Sequence, residues 1–167
     1  MHIGSGTRTV QTSPEAPTVV TANLIVCNSA ASMIDWIFSG KFDQFPGLKL
    51  LYAESQIGWI PYFIERADDT WHTHQWAQGE NRIPHPPSYY YRRHVYSCFF
   101  KDTVGIELLD RVGVDNVLFE TDYPHQDGTF PNSLQVAEDL FGHLDQETIN
   151  KITRGNAINL FDLDLKT

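Results

Sequence analysis

Three short apolar runs punctuate the chain. Leu48-Lys49-Leu50-Leu51-Tyr52-Ala53 follows the turn signal Phe45-Pro46-Gly47, Val95-Tyr96-Ser97-Cys98-Phe99-Phe100 lies mid-chain, and Asn116-Val117-Leu118-Phe119-Glu120-Thr121 comes third. Runs of this length, rich in branched and aromatic side chains, predict buried strands. Helical patterns separate them. Pro61 opens one at a first-turn position, and it continues through Tyr62, Phe63 and Ile64 to Trp76. Asp102 caps another, which carries Val104, Leu108, Leu109 and Val112 and stops at Gly113. Upstream, residues 19–38 predict one long amphipathic helix or two shorter ones, ending at Gly40. Downstream, residues 133–141 and 146–161 predict helices broken around Gly142 and Gly155, while residues 5–17 and 77–87 read as loops. His2-Ile3 reads as the tail of a further strand. The order is β-α-β-α-β-α-β-α, which implies an α/β fold with a parallel sheet and helices packed outside it.

Composition narrows the partners. With 167 residues, 41% hydrophobic and 13% aromatic, the chain has material for one well-packed domain. Twelve Lys and Arg against 21 Asp and Glu give a net charge of −9. The densest basic pair is Arg92-Arg93, beside Tyr89-Tyr90-Tyr91, so no nucleic-acid footprint is expected and the tyrosines read as a packed helix turn. Cys27 and Cys98 stand far apart without a CxxC, which argues against a disulfide scaffold and for a reducing cytoplasm. The first residues lack a signal-peptide pattern, and no uninterrupted apolar run reaches the ~18 residues of a span. A cytoplasmic protein with no membrane partner is the expectation.

In parallel α/β sheets and barrels, chemistry projects from the carboxyl ends of strands. His2, Glu54 and Asp122 stand there. Asp122 follows an apolar strand directly and precedes Tyr123-Pro124-His125, where proline enforces a loop. A carboxylate so placed is oriented either for a ligand or metal, or to cap the next turn; the residues alone leave both readings open.

Five segments together resemble the amidohydrolase-related hydrolases and decarboxylases of the amidohydrolase superfamily. They are His2-Ile3-Gly4-Ser5-Gly6, Phe45 through Glu54, Gly58-Trp59-Ile60-Pro61-Tyr62, Val117 through His125, and Arg154-Gly155-Asn156-Ala157. The resemblance runs in order over essentially the whole chain. It implies a (β/α)8 TIM barrel with a divalent metal at the carboxyl ends of its strands, and a single domain over residues 1–167 forming roughly strands five to eight. His2 then looks like the metal histidine ending strand five. Asp122 looks like the strand-eight aspartate, which binds metal and acts on the attacking water. Zn or Mn suits an imidazole and a carboxylate. Glu54 stands where decarboxylating relatives carry a catalytic histidine, which weighs against decarboxylation; Glu54 is expected instead to shuttle a proton or anchor a hydrogen bond. His125 and Trp59 are expected to line the substrate cleft.

The same resemblance implies an absence. The family's first strand ends in an HxH-type pair, and this chain begins at what would be strand five. A complete barrel typically needs about 250 residues, so the expectation is a truncated, C-terminal half-barrel. Its uncovered wall should recruit a second copy or a partner chain that completes the barrel. Two ligands fall short of the three usual for catalytic zinc, so weak binding is expected. His72-Thr73-His74 does not replace the missing pair, because i and i+2 on a helix point ~200° apart. His85 in a Pro-rich loop, His94 before a strand and His143 beside Gly142 read as structural or surface residues. Gly4-Ser5-Gly6 lacks the third glycine of a dinucleotide fingerprint. The expected function is a metal-dependent hydrolase acting on a small organic substrate. The alternatives are a carboxy-lyase of the same family, or a non-catalytic half-barrel that binds a partner.

Overall fold

A computed structural model describes residues 1–3, 10–80 and 82–165. Gly4-Ser5-Gly6 and the start of the expected 5–17 loop lie outside these residues. The chain enters a helix at Thr18–Leu24 (α1), turns at Ile25 and continues as Val26–Phe38 (α2), the shorter pair rather than one helix. Gly40 sits in the left-handed region at φ 71°, a conformation glycine adopts without a Cβ penalty, and starts the turn of helix Lys41–Gln44 (α3). Strand Leu50–Tyr52 (β1) follows, then helix Ile60–Thr73 (α4) and helix Pro87–His94 (α5). Strand Val95–Phe99 (β2) leads to Thr103–Glu107 (α6) and Leu109–Val112 (α7), and strand Val117–Phe119 (β3) to Ser133–Phe141 (α8). Gln146–Asn150 (α9) and Asn156–Phe161 (α10) close the chain, joined by a π-helical turn at Lys151–Gly155.

The three strands form one parallel sheet in the order β1-β2-β3, with Tyr52 opposite Ser97 and Phe99 opposite Phe119. His2 adds a parallel bridge to Ala53, and the Met1 carbonyl accepts from the Ala53 amide, so the chain start lies alongside β1 as the expected strand tail. This is the α/β architecture of a partial (β/α)8 barrel. The strands are shorter than expected: Leu48-Lys49, Phe100 and Glu120-Thr121 fall outside them, although the Glu120 amide still donates to the Phe99 carbonyl at 2.9 Å.

One face of the sheet is closed by helices. Tyr52, Val95, Phe99 and Val117 are at most 1% exposed, and Phe99 packs edge-on against Phe119 and Phe141. Burial of each such side chain contributes roughly 1.5–3 kcal/mol. The alternate positions Leu51, Tyr96, Cys98 and Leu118 point to the other face. Leu51 and Tyr96 there remain half-buried. Two asparagines clamp the amino ends of the strands. Asn116 Nδ2 donates to the Val95 carbonyl at 2.8 Å, and Asn156 Nδ2 donates to the Val114 and Val117 carbonyls at 2.7 Å each. Asn156 belongs to the Arg154-Gly155-Asn156-Ala157 motif, whose work here is therefore structural.

Four expectations need correction. The helix capped by Asp102 breaks at Leu108 instead of running to Gly113. Gly155 does not break the last helix; one extra residue is absorbed in the π-turn. The short α3 turn at Lys41–Gln44, which buries Phe42, was not anticipated. Finally, residues Thr18–Phe38 are long and apolar enough to cross a membrane by length and composition, with a mean hydropathy of 1.2. In the fold Ser29, Ala30, Met33 and Ile37 of this segment are buried, and Ser29 and Ser32 hydrogen-bond Ser55 and Tyr52.

The histidines set aside above behave as structure. His94 is buried, stacks on Phe42 at 4.4 Å and bonds the Leu48 carbonyl, while His72 and His74 lie exposed at the end of α4.

Candidate functional site

The carboxyl ends of β1 and β3 each turn through a left-handed, non-glycine residue. Glu54 has φ 60° and Asp122 has φ 53°. Such a conformation costs roughly 1–3 kcal/mol and persists only where neighbouring contacts hold it. At β1 those contacts are explicit. The Glu54 amide donates to Glu120 Oε1 at 2.7 Å, and the Ile57 and Gly58 amides both donate to Asp102 Oδ2 at 2.6 Å. Asp102 also caps α6 through the Gly105 amide, as the sequence predicts. Gly58 and Gly105 are required by this close approach, since a Cβ on either would strike the Asp102 carboxylate at 2.8 Å. At β3 the Thr129 amide donates to the Thr121 carbonyl, and Lys101 Nζ donates to the carbonyls of Asp127 and Gly128. The loop beyond Asp122 is thereby tied down at both ends.

These turns bring four side chains together. His2 Nε2 lies 2.7 Å from Glu54 Oε1, Glu54 Oε1 lies 4.0 Å from His125 Nδ1, and His125 Nδ1 lies 2.7 Å from Asp122 Oδ1. The Glu54 and Asp122 side chains are 18% and 7% exposed, against 50% for His2 and 60% for His125, so the carboxylates form the floor and the imidazoles the rim. Among the described residues, Glu54, Asp122 and His125 have ligand atoms that all lie within 4.8 Å of one another, a donor set of hard oxygens and one imidazole that fits a divalent metal. The Asp122 carboxylate, through its hydrogen bond first and its charge second, raises the His125 imidazole above its ordinary pKa.

A cavity of about 1120 Å³ opens over this cluster. Glu54, Asp122, His125 and Trp59 all line it, with Phe100, Ile25 and Val26 supplying further apolar wall. Trp59 is fixed by donation from Nε1 to the Ser55 carbonyl at 2.7 Å and by edge contact with Phe63. Every residue singled out from the sequence thus falls in or beside one cleft; His2 reaches it through Glu54.

Glu120 was passed over as part of a strand. Burial, and then the charges of Glu54 and Asp122, push its carboxyl up from the usual 4.5 to about 7, against the pull of the Glu54 amide. A glutamate closing an otherwise apolar strand was the available signal. Cys98 lies beside it, and burial raises that thiol well above its ordinary range, which leaves it inert as a nucleophile.

A family model described as Amidohydrolase matches residues 10–163. Gamma-resorcylate decarboxylases from Polaromonas sp. and Rhodococcus jostii are 29% and 31% identical to the chain, over 75% of it. The match spans only 38% and 37% of their own lengths. The crystal structure of a dihydroxybenzoic acid decarboxylase from Polaromonas sp., with bound manganese and the inhibitor 2-nitroresorcinol, superposes with a TM-score of 0.66 at 22% identity, covering 92% of this chain and 48% of that one.

Proposed function

Because the chain belongs to the amidohydrolase family, we propose that it carries the strand-five to strand-eight part of the active site of a divalent-metal-dependent carboxy-lyase acting on a hydroxylated aromatic acid. The supporting observation is the convergence of His2, Glu54, Asp122 and His125 in one cleft, in a chain whose curated relatives named above are gamma-resorcylate decarboxylases. Hydrolysis through activated water, expected from the family resemblance, draws on the same donors. The relatives favour carbon–carbon cleavage instead, and the Glu54-for-histidine departure therefore weighs less than it did.

His2 and Asp122 are the proposed metal ligands, and a metal held there supplies positive charge for the substrate's carboxylate and hydroxyl oxygens. Loss of CO2 leaves the bonding pair on the ring carbon, which must take a proton as the bond breaks. Asp122, whose Oδ1 lies 2.7 Å from His125 Nδ1, is placed to carry that proton. Trp59 and Phe100 offer apolar surface to the ring.

The sheet face on which Leu51 and Tyr96 are only half-buried fits completion of the barrel by a second copy or by a chain bearing further β/α units. The free thiols Cys27 and Cys98 fit a reducing cytoplasm. The test is CO2 release from gamma-resorcylate by manganese-loaded protein, with mass from light scattering read alongside. Product formation lost in Asp122→Asn supports the reading. No product at metal saturation overturns it.

A further inference from the structure

We propose that Glu54 is itself a metal ligand, sharing one ion with Asp122 and His125, while His2 Nε2 stands against the same Glu54 oxygen. The inference rests on the metal-dependent reading above and gives Glu54, expected from the sequence to shuttle a proton or anchor a hydrogen bond, the part of a metal donor.

Glu54 Oε1 is the atom through which the cluster is joined. It stands 2.7 Å from His2 Nε2 and 4.0 Å from His125 Nδ1, and the other contact, His125 Nδ1 to Asp122 Oδ1, is again 2.7 Å. Metal–ligand bonds of roughly 2.1 Å place adjacent donors on an octahedral ion about 3.0 Å apart and opposite donors about 4.2 Å apart. Two of the three separations match adjacent donors, slightly contracted, and the third approaches an opposite pair. The ligand atoms of Glu54, Asp122 and His125 all lie within 4.8 Å of one another, so an ion held by Asp122 has Glu54 within its reach, and His2 adjoins it through Glu54.

Charge leads to the same assignment. Glu54 and Asp122 are two carboxylates on one cleft floor, both largely shielded from water, and Glu120 lies against the Glu54 backbone amide. Among the described residues lining the cavity, the one ammonium is Lys101, and two of its donors are spent on the carbonyls of Asp127 and Gly128. A divalent cation offsets this density of negative charge far better than rim imidazoles do. With two carboxylate oxygens and one imidazole nitrogen, the set accepts Mn2+ as well as Zn2+, and a histidine in place of Glu54 would shift the balance further toward Zn2+.

The experiment is direct metal binding by the full chain, using the electron-paramagnetic-resonance signal of free Mn2+ and competition with Zn2+, with circular dichroism as the check on folding. The parent protein is expected to bind one Mn2+. Glu54→Gln is expected to weaken that binding by more than the ~10–100-fold typical of losing an outer-shell partner, and Glu54→His to raise the selectivity for Zn2+ over Mn2+ above the parent's. The proposal is overturned if Glu54→Gln binds Mn2+ as the parent does, if Glu54→His keeps the parent's preference, or if the parent takes up no metal. A protein that binds Mn2+ through Glu54 yet releases no CO2 overturns the carboxy-lyase reading and leaves the ligand assignment standing.

Discussion

The backbone amide of Glu54 donates to the side chain of Glu120 across 2.7 Å, linking the end of β1 to the end of β3 over the intervening β2. This bond holds the strained Glu54 turn while placing a second carboxyl beneath it. The cost is a carboxyl that resists ionisation.

That resistance sets a pH dependence. Glu120 titrates near 7 when folded, against 4.5 for an ordinary glutamate. Between those values the folded state binds a proton that the unfolded state has released, so stability falls as pH rises through the window and levels off above it. Metal-free protein should therefore melt at progressively lower temperature from about pH 5 to about pH 7. Glu120→Gln should flatten this slope, because glutamine still accepts from the Glu54 amide without a charge. Thermal melts across that range read the difference.

Asp102 accepts from three backbone amides, at Ile57, Gly58 and Gly105. Asp102→Ala removes a helix cap and leaves partly buried donors unpaired, an expected loss of about 3 kcal/mol. Gly105→Ala should destabilise by roughly 1–3 kcal/mol, since the added methyl meets Ile57 and the same carboxylate. Urea midpoints measure both.

Asn156 is 4% exposed and satisfies the carbonyls that flank the start of β3. Asn156→Ala should cost about 2 kcal/mol while leaving metal affinity within about twofold, because the residue lies at the opposite end of the strand from Asp122. Denaturation and Mn2+ titration on the same protein separate the two effects.

Trp59 is placed to cover the ring of an aromatic acid. Trp59→Ala should weaken binding of gamma-resorcylate by about tenfold through lost stacking area. Calorimetric titration of metal-loaded protein detects the change; unaltered affinity would remove Trp59 from the binding surface.

Periodicity and punctuation located most of the elements. All three strands lie within the predicted runs, Asp102 caps where expected, and Pro61 falls in the first turn of its helix. These signals are local, carried by residues a few positions apart. The break at Leu108 and the π-turn before Asn156 were not legible, because each depends on how the helix must meet the sheet.

For the site, the chain order of apolar strand and terminal polar residue was enough to single out His2, Glu54 and Asp122, and the resemblance to a family added His125 and Trp59. The sequence by itself also determined the acidic balance, the wrong geometry of His72 and His74 for a shared ligand, and a parallel sheet with its chemistry at one rim. Tertiary structure alone decided that Glu54 joins His2 to the Asp122–His125 pair, and that Glu120 braces it from beneath. Those contacts link residues far apart in the chain, through left-handed turns that local propensity disfavours. They exist because the sheet register and the Asp102 brace bring the strand ends to within a hydrogen bond of one another.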